Sequence, residues 1–399
     1  MIVFLSRIFG RFSRLGIPFA WLQLTAERKR FAAASAGMGF AVLMMLLQVG
    51  LHSGLYEQGV RPFRKFAGEI VVVSSQYEYL CVPRSFAADR LTRLKAFPEV
   101  DETMPLWLGT LPLKNPESGL GRDVFVMAFD PAQRAFPDPE IDRERPSLEA
   151  GDTLLFDRDS HKNFGAFGRM LGTPAGRGGV RSELNEKAMR VVGTFELGQT
   201  LGIDGNVIAG RDAFMRAYPG SSADRIMLGL VKLKPGADAD AVAARMRAML
   251  PVDVRVFTMP EMIRAETEYW DSRTPIGVII TSTMVLSFIV GAVVVFQILY
   301  TDVSDHLPEY ATLKSIGFPD GYFTKIVIQE SVILSLCGFI PGAILTAPVY
   351  RFLADATGIP VVYTWTNLVI VLGTSLIMCV IAGLGATHKL AHANPADIV

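Results

Sequence analysis

Hydrophobic positions along the chain fall into four long uninterrupted runs, and polar positions gather between and around them. The runs are "FAAASAGMGFAVLMMLLQVGL" at 31–51, "PIGVIITSTMVLSFIVGAVVVFQILY" at 275–300, "IVIQESVILSLCGFIPGAILTAPVY" at 326–350 and "WTNLVIVLGTSLIMCVIAGLGAT" at 365–387. A hydrocarbon core about 30 Å thick needs about 20 apolar helical residues, so each run predicts a transmembrane helix. The last three are separated by short connections, 301–325 and 351–364. Residues 52–274, between the first and second, are mostly polar and predict a folded domain.

Inside 52–274 the period changes repeatedly between two and 3.6 residues. "GEIVVVSSQYEYL", "VDETMPLWLGTL", "DVFVMAFD", "GDTLLFDRD", "KAMRVVGTFEL" and "GNVIAG" read as strands, and "PRSFAADRLTRLKAF" as a helix opened by proline. "DRIMLGLVKLKPGADADAVAARMRAMLPVDVRVFTM" reads as strand, Pro-Gly turn, alanine-rich helix and strand. The predicted class is an α-helical membrane protein with four transmembrane helices and a large extracytoplasmic α+β domain of short mixed sheets, inserted between helices one and two. "PEMIRAETEYWDSRTP" predicts a polar helix, a stalk running straight into the second span.

Lysine and arginine near the span ends set orientation. Arg7, Arg11, Arg14, Arg28, Lys29 and Arg30 precede the first span, and Lys314 and Lys325 lie in the 301–325 loop. The 351–364 loop carries only Arg351, and the 388–399 tail carries Lys389. Both termini and the 301–325 loop are therefore expected in the cytoplasm. Residues 1–30 form a cytoplasmic tail in which "GIPFAWLQLTAERKRF" suits an amphipathic helix on the inner membrane surface. The opening residues do not suit a cleaved signal peptide, because arginines interrupt their short apolar run.

Composition narrows the function. With 39 basic and 39 acidic residues there is no basic excess for nucleic acid, while half the residues are hydrophobic. Of three cysteines, Cys337 and Cys379 sit in spans as packing residues and Cys81 stands alone in the insert, so neither zinc nor a disulfide framework is expected. Asp157, Asp159 and His161 resemble a metal cluster, but three ligands so close together with nothing to complete a shell favour a polar surface loop. "GTPAGRGG" lacks the lysine of a P-loop, and neither GxSxG nor HExxH occurs. No catalytic set is expected, and any ATP hydrolysis belongs to another subunit.

The short polar loop between spans two and three holds "DHLPEYATLKSIGFPD". Ser304 or Asp305 is a candidate cap and Pro308 suits a first turn. Tyr310, Leu313, Ile316 and Gly317 share one face, Glu309 and Lys314 lie elsewhere, Gly317 ends the helix and Pro319 stops it resuming. Such a helix lies on the membrane surface or docks in a partner's groove, and the residues leave both open. In the spans, Glu330 is a charge costing about 2.5 to 3.5 kcal/mol at a bilayer centre, with a coupling or structural role, interfacial solvation and proton transfer as its alternatives. Ala32, Ala36, Gly37 and Gly39 in span one, and Gly338 and Gly342 in span three, permit close helix packing, with a dimer seam as the alternative in span one.

The layout and the series Glu309, Ala311, Leu313, Lys314, Ile316, Gly317, followed by Glu330 and "GFIPG", resemble FtsX-like permeases of MacB-type (type VII) ABC systems. "IPFAWLQLTAERKRFAAASAGMGFAVLMMLLQVGL" and "DVSDHLPEYATLKSIGF" look closer still to the DevC branch. The resemblance implies a coupling helix of Leu307, Pro308, Glu309, Tyr310, Ala311, Leu313, Lys314, Ile316, Gly317 and Phe318 that sits on an ABC ATPase, where ATP and Mg are bound. It implies a homodimer in the bacterial inner membrane, working with a periplasmic adaptor (membrane fusion protein) and a TolC-like outer-membrane channel. ATPase closure would reach the external domain by mechanotransmission and export a lipid, glycolipid or other hydrophobic cargo. The alternative is an FtsX-like regulator that passes the ATPase stroke to a partner such as a cell-wall hydrolase. A receptor would need a cytoplasmic signalling domain that the expected tails and loop do not offer.

Overall fold

Each apolar run becomes one helix in the computed structural model, which describes residues 21, 24, 28–173, 176, 178–200, 202–305, 319–357, 361 and 363–392. The first, α1 (Arg28–Lys65), outruns the expected 31–51 by several turns. Tyr56, Val60 and Phe63 are buried there at helical spacing, so tertiary burial carries the helix through an otherwise polar sequence. The described residues fall into two compact units, one within Leu55–Gly277 and the other within Met1–Gly54, Val278–Thr357 and Val361–Val399.

In the Leu55–Gly277 unit the elements follow α1 as β1 (Ile70–Ser74), β2 (Phe86–Ala87), α2 (Asp89–Arg93), β3 (Val100–Lys114), β4 (Gly121–Phe129), α3 (Pro139–Glu144), β5 (Thr153–Asp157), α4 (Phe167–Leu171), β6 (Val180–Leu184), β7 (Lys187–Phe195), β8 (Asn206–Gly210), α5 (Arg211–Ala217), β9 (Arg225–Ile226), β10 (Leu228–Leu233), α6 (Ala239–Met249), β11 (Val254–Thr258) and α7 (Met259–Ser272). The expected short sheets are instead one mixed nine-stranded sheet, ordered β11-β1-β10-β3-β4-β8-β5-β7-β6, beside a two-stranded β2-β9 ribbon. β4–β8 and β5–β7 are parallel and the other pairs antiparallel. The fifteen-residue β3 pairs with β10 and β4 and also touches β6 at Leu113↔Leu184. That contact closes six strands into a ring. β1, β5 and β8 are buried at every position, as their continuous apolar runs require.

Two helical expectations are corrected in this unit. Residues 83–97 hold only the short α2 and a 3-10 turn, because Phe86 and Ala87 are drawn into strand pairing with Ile226 and Arg225. The stalk does not run straight into the second span. α7 starts on a capping box between Thr258 and Glu261 and ends at Ser272, before α8 (Pro275–Asp305). Proline lacks the N–H that would continue the ladder and disfavours α geometry in the residue before it. Thr274 bridges the break, donating from Oγ1 to the Trp270 carbonyl at 2.7 Å and accepting from the Gly277 N–H at 3.4 Å.

The other unit contains most of α1 and α8 together with α9 (Asp320–Thr357) and α10 (Trp365–His392). Among the described residues, four helices are long and apolar enough to cross a membrane: α1, α8, Thr324–Ala354 of α9 and Trp365–Ala386 of α10. Met38, Val42, Leu46, Val295, Leu334 and Met378 belong to their shared core. Ile279, Val293, Ile344 and Val369 stay exposed, as a hydrocarbon surrounding allows.

Candidate functional site

The candidate coupling residues Leu307, Pro308, Glu309, Tyr310, Ala311, Leu313, Lys314, Ile316, Gly317 and Phe318 lie outside the described residues, as does most of the 1–30 tail. The ends of their loop are described. α8 closes at Asp305, whose Oδ2 receives Arg30 Nη2 of α1 at 2.7 Å. Both side chains are well exposed, so the pair is worth little energetically and serves mainly to mark the approach of the two helices. On the far side, the Tyr322 N–H donates to the Pro319 carbonyl at 2.9 Å and opens α9. Leu24, Ile326 and Ile333 are buried together, with Trp21, Phe31 and Cys337 packed against them.

Glu330 is fully enclosed rather than solvated. Along the same helix, Ser331 Oγ donates to the Val327 carbonyl at 2.7 Å, and the Ser335 hydroxyl lies 3.2 Å from that of Ser375 on α10.

The small residues divide. A Cβ on Gly39 would meet the Gly338 carbonyl oxygen at 3.3 Å, and one on Gly342 would meet the Gly39 carbonyl oxygen at 2.6 Å. One on Gly338 would overlap Met38 Cγ. These three glycines therefore form a seam between α1 and α9 within one chain. Gly37 looks instead toward Val294 and Ile298 of α8, and Ala32 and Ala36 stay exposed. Gly50 does not stand out in the sequence, yet a Cβ there would overlap the Tyr350 hydroxyl, which donates to the Leu46 carbonyl. Its one signal is a spacing of three helical turns from Gly39.

Among the described residues, no group of three His, Cys, Asp or Glu is placed to hold a metal ion. The surface-loop expectation is corrected at Asp157, which is fully buried. Its Oδ1 accepts from the Leu197 and Asp159 N–H groups at 3.0 and 3.1 Å, and its Oδ2 from Asn206 Nδ2 at 3.0 Å. Asn206 also donates to the Gly198 carbonyl and accepts from Thr200 Oγ1. This polar core pins two loops together. His161 points its ring nitrogen at the Asn163 N–H, 3.3 Å away.

The other buried carboxylate of the Leu55–Gly277 unit that sequence reasoning missed is Glu266 on α7. Burial pushes its carboxyl up to about 7, against the opposite pull of hydrogen bonds from the Leu80 N–H, Tyr77 and Trp270. Cys81 nearby is half-buried, and burial together with the Glu266 charge pushes its thiol up to about 12.

Residues 281–395 match the family described as FtsX-like permease C-terminal. The chain is also similar to two solved structures. The periplasmic region of MacB from Actinobacillus actinomycetemcomitans is 9% identical, with 50% of this chain and 94% of that one covered and a TM-score of 0.34. The extracellular domain of the noncanonic ABC-type transporter YknZ from Gram-positive bacteria is 11% identical, with 48% and 98% covered and a TM-score of 0.33.

Proposed function

We propose that this chain, an FtsX-like permease over residues 281–395, is the membrane subunit of an ATP-driven ABC exporter. The family match carries the reading, and the element order supports it: an α+β unit lies in the chain between α1 and α8, with α9 and α10 following closely. In this reading the α+β unit is extracytoplasmic and both termini are cytoplasmic. Two copies of the chain pair in the inner membrane, and ATP and Mg stay on a separate ATPase.

The ATPase docks on Leu307–Phe318, with Tyr310, Leu313 and Ile316 as the apolar face of a helix-in-groove contact. Motion enters at that loop, which starts where Arg30 meets Asp305 and ends where Ile326 packs with Leu24. It leaves through α8 toward the break at Arg273–Thr274 and α7. The cargo is a lipid, glycolipid or other hydrophobic molecule passed to an adaptor and an outer-membrane channel.

Retention of partners by the tagged protein in mild detergent tests the reading. An ABC ATPase should be retained, and Leu313→Asp should lose it while the variant still inserts. A co-purifying adaptor supports export, and a cell-wall hydrolase in its place supports the regulatory alternative. Equal ATPase retention by Leu313→Asp would sink the docking assignment.

A further inference from the structure

α7 carries Met262, Glu266 and Trp270 at intervals of four, and all three are buried. The outer two are apolar or aromatic and the middle one is a carboxylate only 1% exposed. Glu266 Oε2 accepts from Tyr77 Oη at 2.8 Å, and Oε1 accepts from the Leu80 N–H at 3.1 Å and Trp270 Nε1 at 3.4 Å. Two of those three donors come from the loop that leaves β1. Tyr79 of the same loop stacks on Tyr269 with centroids 4.7 Å apart and meets Trp270 edge-on at 5.1 Å. One turn further along α7, Asp271 Oδ1 accepts from Tyr56 Oη of α1 at 2.8 Å. The β1 loop, α7 and α1 are thus joined around one buried acid.

We propose that Glu266 is a proton-operated tether: protonated, its uncharged carboxyl is buried without penalty and holds residues 75–82 against α7, and losing the proton leaves an enclosed charge whose desolvation outweighs the hydrogen bonds it accepts and loosens them. This goes beyond the permease reading and does not depend on it. The groups facing Glu266 leave it as the one that titrates near neutrality. On the loop, Tyr77 and Tyr79 are held above the ordinary tyrosine range by burial first, and Cys81 likewise above its own. On α7, burial, then Glu78 and Glu266, raise Tyr269, with Arg273 opposing them. From β11, Arg255 donates to the Tyr77 carbonyl and is the cation on that side.

In the closed state the carboxyl titrates at about 7, whereas in the opened state water returns it to the ordinary value near 4.3. The closed state therefore binds the proton more tightly. Its advantage is full below the ordinary value and is lost as pH rises toward 7, by about tenfold per pH unit in that window.

Hydrogen exchange of the full-length protein in nanodiscs, corrected for intrinsic exchange, reads this at the Leu80 amide. Protection should fall about tenfold from pH 5.5 to 6.5 and level off above pH ~7.5. Glu266→Gln keeps the shape without the titration, and its Leu80 protection should not change with pH. A wild-type profile without slope, or the same slope in Glu266→Gln, overturns the proposal. Should Glu266→Gln fail to fold, Tyr77→Phe decides. It removes one hydrogen bond to the charged form and should move the midpoint upward, and an unmoved midpoint overturns the tether. No ATPase enters the readout, so loss of the permease reading would leave this result standing.

Discussion

A methyl group at Gly342 would stand 2.6 Å from the Gly39 carbonyl oxygen and 2.9 Å from Val42 Cβ. Backbone cannot move aside as a flexible side chain does, so Gly342→Ala must push α9 off α1. Overpacking of this kind costs about 1 to 3 kcal/mol. A methyl group at Gly373 on α10 would meet nothing within 4 Å, so Gly373→Ala should be neutral or mildly stabilising through helix propensity. Thermal melts of the two variants in one detergent check the contrast, and equal melting temperatures would refute the seam. That small residues mark close packing was legible in the sequence. Which helix each one faces was not, because spacing gives a face and not its neighbour: Gly37 turned to α8 and Gly39 to α9. Glu266 was less legible still. In "PEMIRAETEYWDS" every acid reads as solvated, and only the buried stripe of Met262, Glu266 and Trp270 sets it apart.

At the scale of elements, β5 and β8 were legible as strands because both are short apolar runs bounded by polar residues. Their pairing with each other, and the polar core at their ends, arises from contacts distant in sequence. Asp157 lies at the end of β5 and Asn206 at the start of β8, and both are fully buried. Asp157→Ala would leave the Asn206 amide and the Leu197 N–H without this acceptor. An orphaned buried donor costs about 1 to 3 kcal/mol, so the variant should lose stability by at least that much. If the carboxylate serves the fold in this way, a chelator should leave the wild-type melting temperature unchanged. A wild-type melt lowered by chelator and restored by a divalent cation would return Asp157, Asp159 and His161 to a metal role. The added turns of α1 belong to the same scale. Tyr56, Val60 and Phe63 form a helical stripe among charges, visible only once the unit that buries them is known.

Across the whole molecule, the basic residues before α1 and in the 301–325 loop lead us to expect both on the cytoplasmic side and the α+β unit outside. The expectation rests on residues near span ends, since long domains cross largely regardless of their own charge. Single cysteines test it directly in a background with Cys81, Cys337 and Cys379 all replaced by alanine. Val252 is 96% exposed between α6 and β11, and Lys325 is exposed early in α9. In spheroplasts, an impermeant maleimide should label Val252→Cys at once and reach Lys325→Cys only after the membrane is opened. The reverse pattern would invert the topology and remove Leu307–Phe318 from the compartment that holds ATP, because a docking helix on the outer face has no nucleotide to answer. Labelling of both sites in sealed spheroplasts would mean that the run between them, α8, does not span. A helix of 31 residues with no charged residue from Pro275 to Thr301 has few other places to put its exposed valines and isoleucines than hydrocarbon, so α8 is expected to separate the two sites, and the basic residues near the span ends then favour the first pattern over its reverse.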